Sequence, residues 1–589
     1  MEEKVKENAF SFFAEDLCKK KQDGGLDKFS GFLYNIFILI HSAQGRSIGK
    51  ENVIMRKIRI LALLLCLALL LPTLVACGGG GTSESKPSSG SQSQGGESSS
   101  ESESEGRDWS KVNFDGEDLI INVNIYQNAE QTFRPADIYS RGPDSLVGAD
   151  EVEKLIYDRN LNLTESLGIN VTWEETDEAV GSSQAIIEQF VKTSTDNSPD
   201  LFITDVYDVI HAMLTNSLWN VHDTSDGQGG TLESYFDFSH ETWFEEYMLG
   251  TSLSHDKRYV LVSDYFIDVI RFSYVLFVNR GMFDEVMQGQ YINVHDLYEY
   301  VKQGEWDYDM LIQYIEIAHL DTVNKGFTDK EDERNGLAAS AHMQRAFTWS
   351  NGLSILEWDD EIYNSNPYVI ENHPDYFAYA EKFSELYNTP GMYYTGDDAA
   401  AVQASTTLFL DGTYLFALSM MGEMESETVR NSDVNKGVLP LPKFDQDLQS
   451  DYHTLVHDQV DIACILNNAR HFSAASAYLQ KASEDSVSIM KEYYDKSLKL
   501  KYNEDKDTQE VLDLIHDRIV TPFELIIARL VVSGGQYLPG APYSGTEMYN
   551  MVHADAKEQK TAFASSWAAA YDGWCQNLEH LLDLFENLE

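Results

Sequence analysis

Catalytic chemistry needs particular side chains at particular spacings, and this sequence withholds most of them. Paired carboxylates perform glycoside hydrolysis, but with 96 Asp and Glu in 589 residues neighbouring acids are expected by composition alone. Asp329 to Glu333 and Glu504 to Asp507 sit in polar stretches without the Gly spacing of a calcium loop, and both read as solvated surface. The 15 His show no pairing that singles out a metal site, and the 5 Cys include no CxxC. GxGxxG, GxxxxGK[ST], GxSxG and HExxH are absent. Ser83-Glu84-Ser85-Lys86 matches SxxK, but within a Gly/Ser tract where no nucleophile can be positioned. The sequence therefore argues against an enzyme, and implies neither cofactor nor metal.

Charge narrows the partners. Lys and Arg number 43, giving a formal −53. A field of that sign repels nucleic acid and anionic lipid, and disfavours an anionic solute unless a local Arg cluster overrides it. A neutral or cationic ligand is the expectation. The 43% hydrophobic and 12% aromatic content is ample for sizeable cores. Length alone predicts several domains.

The N-terminal region reads as an address. Met55-Arg56-Lys57-Ile58-Arg59 is basic, Ile60 to Leu71 carries no charge, and Leu74-Val75-Ala76-Cys77 follows. This is the pattern of a secretory signal, and its last four residues resemble the bacterial lipobox, which implies lipid on Cys77. Residues 1–54 then read as an over-extended translation and 55–76 as a lipoprotein signal peptide. Residues 77–107 read as the lipidated Cys and a Gly/Ser/Glu tether too polar to fold, with a reach of roughly 30 Å. The expected location is the outer face of the cell membrane, lipid-anchored. Cys464 and Cys575 remain for the folded body, as free thiols or as a pair.

From Trp109 the chain alternates apolar runs with amphipathic stretches. Strands are predicted at 118–125, 169–173 and 199–204, with helices over 150–167 and 182–192 between them. That order implies a parallel sheet with right-handed crossovers.

Several segments, in order, resemble family 1 extracellular solute-binding proteins, the lipoprotein receptors of ABC importers. They are Ser198-Pro199-Asp200-Leu201-Phe202-Ile203-Thr204-Asp205 with Leu214 to Asp223; Arg258 to Ser263; and Tyr274 to Phe283. Glu305-Trp306-Asp307 follows, with Asp307 as a helix N-cap, then Phe409 to Phe416, Gly437 to Pro442, and Ser473 to Ala482. Thr413-Tyr414 departs from the family's Lys-Ala, and the tail from Tyr493 onward is longer than common. The resemblance implies a two-lobed α/β periplasmic-binding-protein-like (type II) fold with a hinge. Lobe one would span 108–272 plus 443–490 and lobe two 273–442 plus 491–589. It implies a monomeric receptor that passes a polar solute, foremost a sugar or oligosaccharide, to ABC permease subunits.

Ligand residues are then expected where strands end at the cleft: Tyr126 and Gln127, Asp205 and Tyr207. The resemblance adds Phe347 and Trp349 from the stretch after Leu337-Ala338-Ala339-Ser340, and Met421 and Glu423 from the stretch after an apolar strand. Tyr537 joins them from a Gly/Pro-rich tail loop, with Gln536 and Tyr543 beside it. For most of these a packing or capping role competes with ligand contact. A secreted carbohydrate-active enzyme and a surface peptide-binding or adhesion lipoprotein remain as alternatives.

Overall fold

Leu119 to Val123, apolar except for Asn122, needs backbone partners on both sides, and it becomes the centre of a sheet. Strand β1 (Glu117–Asn124) pairs in parallel with β2 (Ile169–Thr176) and β3 (Leu201–Asp205). Helix α1 (Glu151–Leu167) makes the first crossover. It opens with a capping box in which Asp150 and Glu153 satisfy each other's backbone N–H, at 3.0 and 2.7 Å. It closes on Gly168 at φ +62°, where an added Cβ would lie 2.4 Å from Asn113 Oδ1. Helix α2 (Ser183–Thr193) makes the second crossover, and α3 (Val206–Leu214) follows β3. These elements match the expected ones to within a few residues.

The computed structural model describes residues 107–126, 137–179, 181–254, 256–325, 328–358, 366–397, 399–494, 506–520, 524–559 and 562–588. The signal segment, Cys77 and the tether lie outside these residues, as does Gln127. Among the described residues no helix is long and apolar enough to cross a membrane, and Cys464 and Cys575 are both free.

After a short helix, α4 (Asp268–Arg271), the chain enters a second sheet through β4 (Tyr274–Asn279). Helix α5 (Tyr308–Ala318) is capped by Asp307, which accepts from Met310 N at 2.9 Å, as expected. It leads to β5 (Asn335–Ala339), then α6 (His342–Trp349) and α7 (Pro374–Tyr387). Strand β6 (Met392–Tyr394), helix α8 (Ala399–Leu410), and strands β7 (Tyr414–Met420) and β8 (Lys436–Leu439) complete this half. The chain then returns to the first sheet as β9 (Asp461–Ile465), followed by α9 (Phe472–Glu492).

The two sheets share one plan. Their strand orders are β9-β3-β1-β2 and β8-β4-β7-β5-β6. Setting aside the strand that arrives from the other sheet, the first strand of each is flanked by the next two in sequence (β1 by β2 and β3, β5 by β6 and β7), and the arriving strand (β9 or β4) lies antiparallel beside the later of these. This is a two-lobed α/β arrangement in which each lobe receives one strand from the other. Being antiparallel, β4 and β9 begin at the carboxyl ends of their neighbours, with Tyr274 opposite Met420 and Asp461 opposite Asp205. The crossing segments therefore run along the floor between the lobes. They are bonded to each other there, through the Ser273–Val456 bridge and His457 N to Phe272 O at 3.0 Å. A third segment from the tail, Ile519–Val520, lies parallel to Thr454–Leu455 beside them.

The Pro-Asp pair before β3 has a structural reason. Asp200 is buried and accepts from Ile120 N (3.2 Å), Arg470 N (2.9 Å) and His471 N (3.1 Å), tying β1, β3 and the start of α9 together. One surface expectation is corrected. Asp332 is buried, and it accepts from Thr322 N (3.0 Å), Val323 N (3.2 Å) and Asp329 N (2.9 Å), so it organises its loop rather than facing solvent.

The hinge carries a buried ion network. Arg271 donates to Glu425 through Nε (2.9 Å) and Nη2 (3.1 Å) and to Asp268 through Nη1 (2.5 Å). The hydroxyls of Tyr493 (2.5 Å) and Tyr139 (3.4 Å) also donate to Glu425. Glu425 follows β7, whereas Tyr139 and Tyr493 belong to the first-sheet side, so this network joins the halves across the crossing helix.

Candidate functional site

In an open α/β sheet, the carboxyl ends of the strands are where side chains converge without disturbing the ladder. On the first sheet, β3 ends at Asp205 and α3 starts immediately. Asp205 is buried and accepts from Asp208 N at 2.9 Å, which makes it the helix cap. Burial and the neighbouring Asp208 carboxylate push its carboxyl well above the usual range. Tyr207, in the first turn of α3, presents its ring to His211 at 4.3 Å. Burial lowers the His211 imidazole below its ordinary value, which favours its neutral form.

The tail supplies the rest of that wall. Gly534, at φ +53°, turns the chain where a Cβ would meet Tyr543 O at 1.9 Å, and the loop beyond it carries Tyr537. The Tyr537 ring meets Tyr207 edge-on at 5.5 Å. Behind both stands Arg529, from the short helix Arg529–Ser533. Its Nε donates to Glu547 (2.5 Å) and its Nη1 to Asp458 (3.0 Å). Its guanidinium lies 4.5 Å from the Tyr537 ring, 5.3 Å from Tyr207 and 5.5 Å from Trp349. Burial opposes ionisation of Asp458, but the His457 hydrogen bond and the charges of His457, Arg345 and Arg529 outweigh it. They hold that carboxyl well below the usual range.

On the second sheet, α6 follows β5 and its helical period sorts the predicted residues. Trp349 is 3% exposed and packs edge-on against Tyr549 of the tail helix Met548–Glu558 at 5.1 Å. Arg345, one turn earlier on the same face, sets its guanidinium 5.4 Å from the Tyr549 ring. Phe347 points the other way. It is fully buried against Tyr308 at 5.4 Å, so it is a core residue and not a ligand contact. Met421 is likewise corrected: it is buried, and its N–H bonds Ser273 O at 2.9 Å, fastening the end of β7 to the crossing.

Glu423 is placed differently. It lines a cavity of about 170 Å³ together with Tyr274, Ser340, His342, Thr406 and Ser419, at the ends of β5 and β7. Tyr274, His342 and His457 meet at its floor, with centroids 5.2 to 5.7 Å apart. Tyr126 ends β1 with its side chain 40% exposed and has no ring partner among the described residues.

The structure thus brings Tyr207, Tyr537 and Trp349 together around Arg529, sets Glu423 in the adjoining cavity, and leaves Tyr126 apart. Sequence reasoning missed Arg345, Arg529, Tyr549 and Asp458. Arg345 was legible in principle, four residues from Trp349; the other three depend on where the tail and the crossing segment fold. Elsewhere, His295, Glu299 and Asp507 converge on the surface, but Lys302 holds Glu299 at 2.6 Å and Asp507 at 2.7 Å, so an ammonium already neutralises them.

No family model and no curated protein matches the sequence. Among solved structures, the chain is similar to the GacH receptor of Streptomyces glaucescens, solved unliganded and with acarbose. The identity is 10% over 80% of this chain and 100% of that one, with a TM-score of 0.42. It is similar to a cyclo/maltodextrin-binding protein complexed with maltotetraose (13%; 79% and 97% covered; TM-score 0.47). It is also similar to the galacto-N-biose-/lacto-N-biose I-binding protein of the Bifidobacterium longum ABC transporter (12%; 80% and 98% covered; TM-score 0.44).

Proposed function

We propose that this chain is a solute receptor held outside the cytoplasmic membrane by lipid on Cys77, which captures a carbohydrate between its lobes and presents it to an ABC permease. One observation carries the reading. Tyr207 and Tyr537 meet edge-on beside Arg529, which also touches Trp349 of the other lobe, over a floor made of paired crossing segments. Aromatic faces stack on the C–H face of a sugar ring, while hydroxyls and amides nearby fix its orientation. The hydroxyl-rich cavity beside Glu423 supplies such groups. Paired crossings allow the lobes to rotate about a narrow line without unfolding either core. The site offers no nucleophile paired with a base, which favours binding over turnover.

The test is a thermal-melting screen of mono- and oligosaccharides, peptides and polyamines. Saccharides of one chemical class should raise the melting temperature, and none should be turned over. A shift with peptides alone would replace the carbohydrate, and glycan turnover would make the chain an enzyme.

A further inference from the structure

We infer that the solute carries an anionic group, a sugar carboxylate of the uronic-acid class, and that Arg345 receives it. This rests on the receptor reading and refines its substrate. The charges in the cleft are unevenly committed. Arg529 has spent its fork on Asp458 and Glu547, at 3.0 and 2.5 Å. Asp458 is also held by His457 at 3.1 Å. Arg345, by contrast, makes no hydrogen bond or ion pair with any described residue, although it is partly buried among Asp458, Tyr549, Tyr274 and Arg529. A guanidinium has five N–H donors and cannot shed its proton. Leaving them without acceptors in a closing cleft would cost a charged group its solvation. The ligand is what can supply the acceptors.

Position and shape favour a carboxylate. Arg345 stands at the aromatic wall, its guanidinium 5.4 Å from the Tyr549 ring, within electrostatic reach of Tyr274, which lines the Glu423 cavity. A ring laid against Tyr207 and Tyr537 would therefore bring an exocyclic group towards it. The planar fork of Arg matches the two oxygens of a planar carboxylate. Glu423 in the cavity and Asp397, hydrogen-bonded to Tyr394, carry the same sign as such a group, and Arg529 is already paired, so Arg345 is the cation that can seat it. The expectation of a neutral or cationic ligand came from a net charge of −53. A local guanidinium whose N–H fork no described carboxylate fills, with Asp458 acting on it only as a nearby charge, is the feature that overrides such a field.

Matched pairs test this on the full mature chain by melting and calorimetric titration: galacturonate against galactose, glucuronate against glucose, digalacturonate against galactobiose, with glucose 6-phosphate as a further arm. A uronate should bind at least tenfold tighter than its neutral twin, with an affinity that falls as salt is raised. Arg345→Gln should lose at least tenfold on that uronate while its unliganded melting stays within a few degrees of wild type. Arg345→Lys, which keeps the charge but not the fork, should retain part of the affinity. Neutral twins binding as tightly, an unchanged Arg345→Gln, or preference for the sugar phosphate each overturns the carboxylate and leaves the receptor standing. No shift with any saccharide overturns the receptor reading itself.

Discussion

A single helix period separates the residues that meet the cleft from those that hold the lobe. His342–Trp349 places Arg345 and Trp349 on one side and Phe347 on the other. A stretch read only as aromatic cannot make that distinction, whereas the spacing of i and i+4 can. Trp349 is itself covered by Tyr549 and Arg529. Trp349→Ala should therefore lower the unliganded stability by about 3–5 kcal/mol, as truncation of a buried aromatic does. Tyr207→Ala, at a half-buried ring, should leave the unliganded denaturation midpoint nearer wild type and remove most of the saccharide-induced shift. If the two variants exchange these phenotypes, the cleft wall has been placed on the wrong lobe.

Asp458 makes a pH prediction at the same scale. Its native pKa lies well below the ordinary carboxylate value, so the unfolded chain takes up its proton first as pH falls. The stability it contributes is complete above about pH 5 and is lost progressively as pH drops through the unfolded value, near 3.9, towards the depressed native one. Urea midpoints of wild type and Asp458→Asn should converge as pH is lowered through that window. A constant gap would mean that Asp458 acts through packing alone.

Among the elements, those decided locally were legible and those decided at long range were not. The run Leu119 to Val123 is buried and central, and Asp150 with Glu153 announces α1 before any tertiary contact exists. The floor between the lobes has no such mark. It depends on Val456 finding Ser273 and on Ile519–Val520 lying beside Thr454–Leu455, pairings that sequence periodicity does not encode. From sequence the tail is assigned to lobe two, and only Tyr537 of its Gly/Pro-rich loop, with Gln536 and Tyr543 beside it, is expected near the ligand. The tail in fact contributes Arg529, Tyr537 and Tyr549 to the wall, and its far end is tied to the first half, where Lys257 Nζ donates to Phe585 O (2.8 Å) and Leu588 O (2.5 Å). The Arg271 network tests the hinge. Glu425→Ala leaves a fully buried guanidinium with Asp268 as its remaining ionic partner among the described residues, and should destabilise the fold by about 3–5 kcal/mol. Tyr493→Phe removes one hydrogen bond to that carboxylate and should cost about 1.5–3 kcal/mol. Chemical denaturation of both variants, alone and combined, measures the coupling; independent, additive losses would mean that Glu425 does not join the halves.

For the whole molecule, the proposed working position follows from the order of its parts. A receptor must stay near its permease yet leave its cleft free to sample solution, and a polar tether between anchor and body meets both needs. The chain's net −53 gives it no electrostatic attraction to an anionic membrane surface. On the proposed reading, retention comes from covalent lipid, and one acyl chain binds only marginally whereas two or three hold firmly. Cys77 is the residue whose context, Leu74-Val75-Ala76-Cys77, provides for that chemistry. Cys77→Ser should release the protein into the medium or stall its processing, while the secreted body keeps its saccharide-induced melting shift. Fractionation of cells expressing each form decides it. A Cys77→Ser chain that remains in the membrane fraction after a high-salt wash would transfer the anchoring role to the uncharged run from Ile60 to Leu71, at most about 18 Å long as a helix and short for a ~30 Å hydrocarbon core.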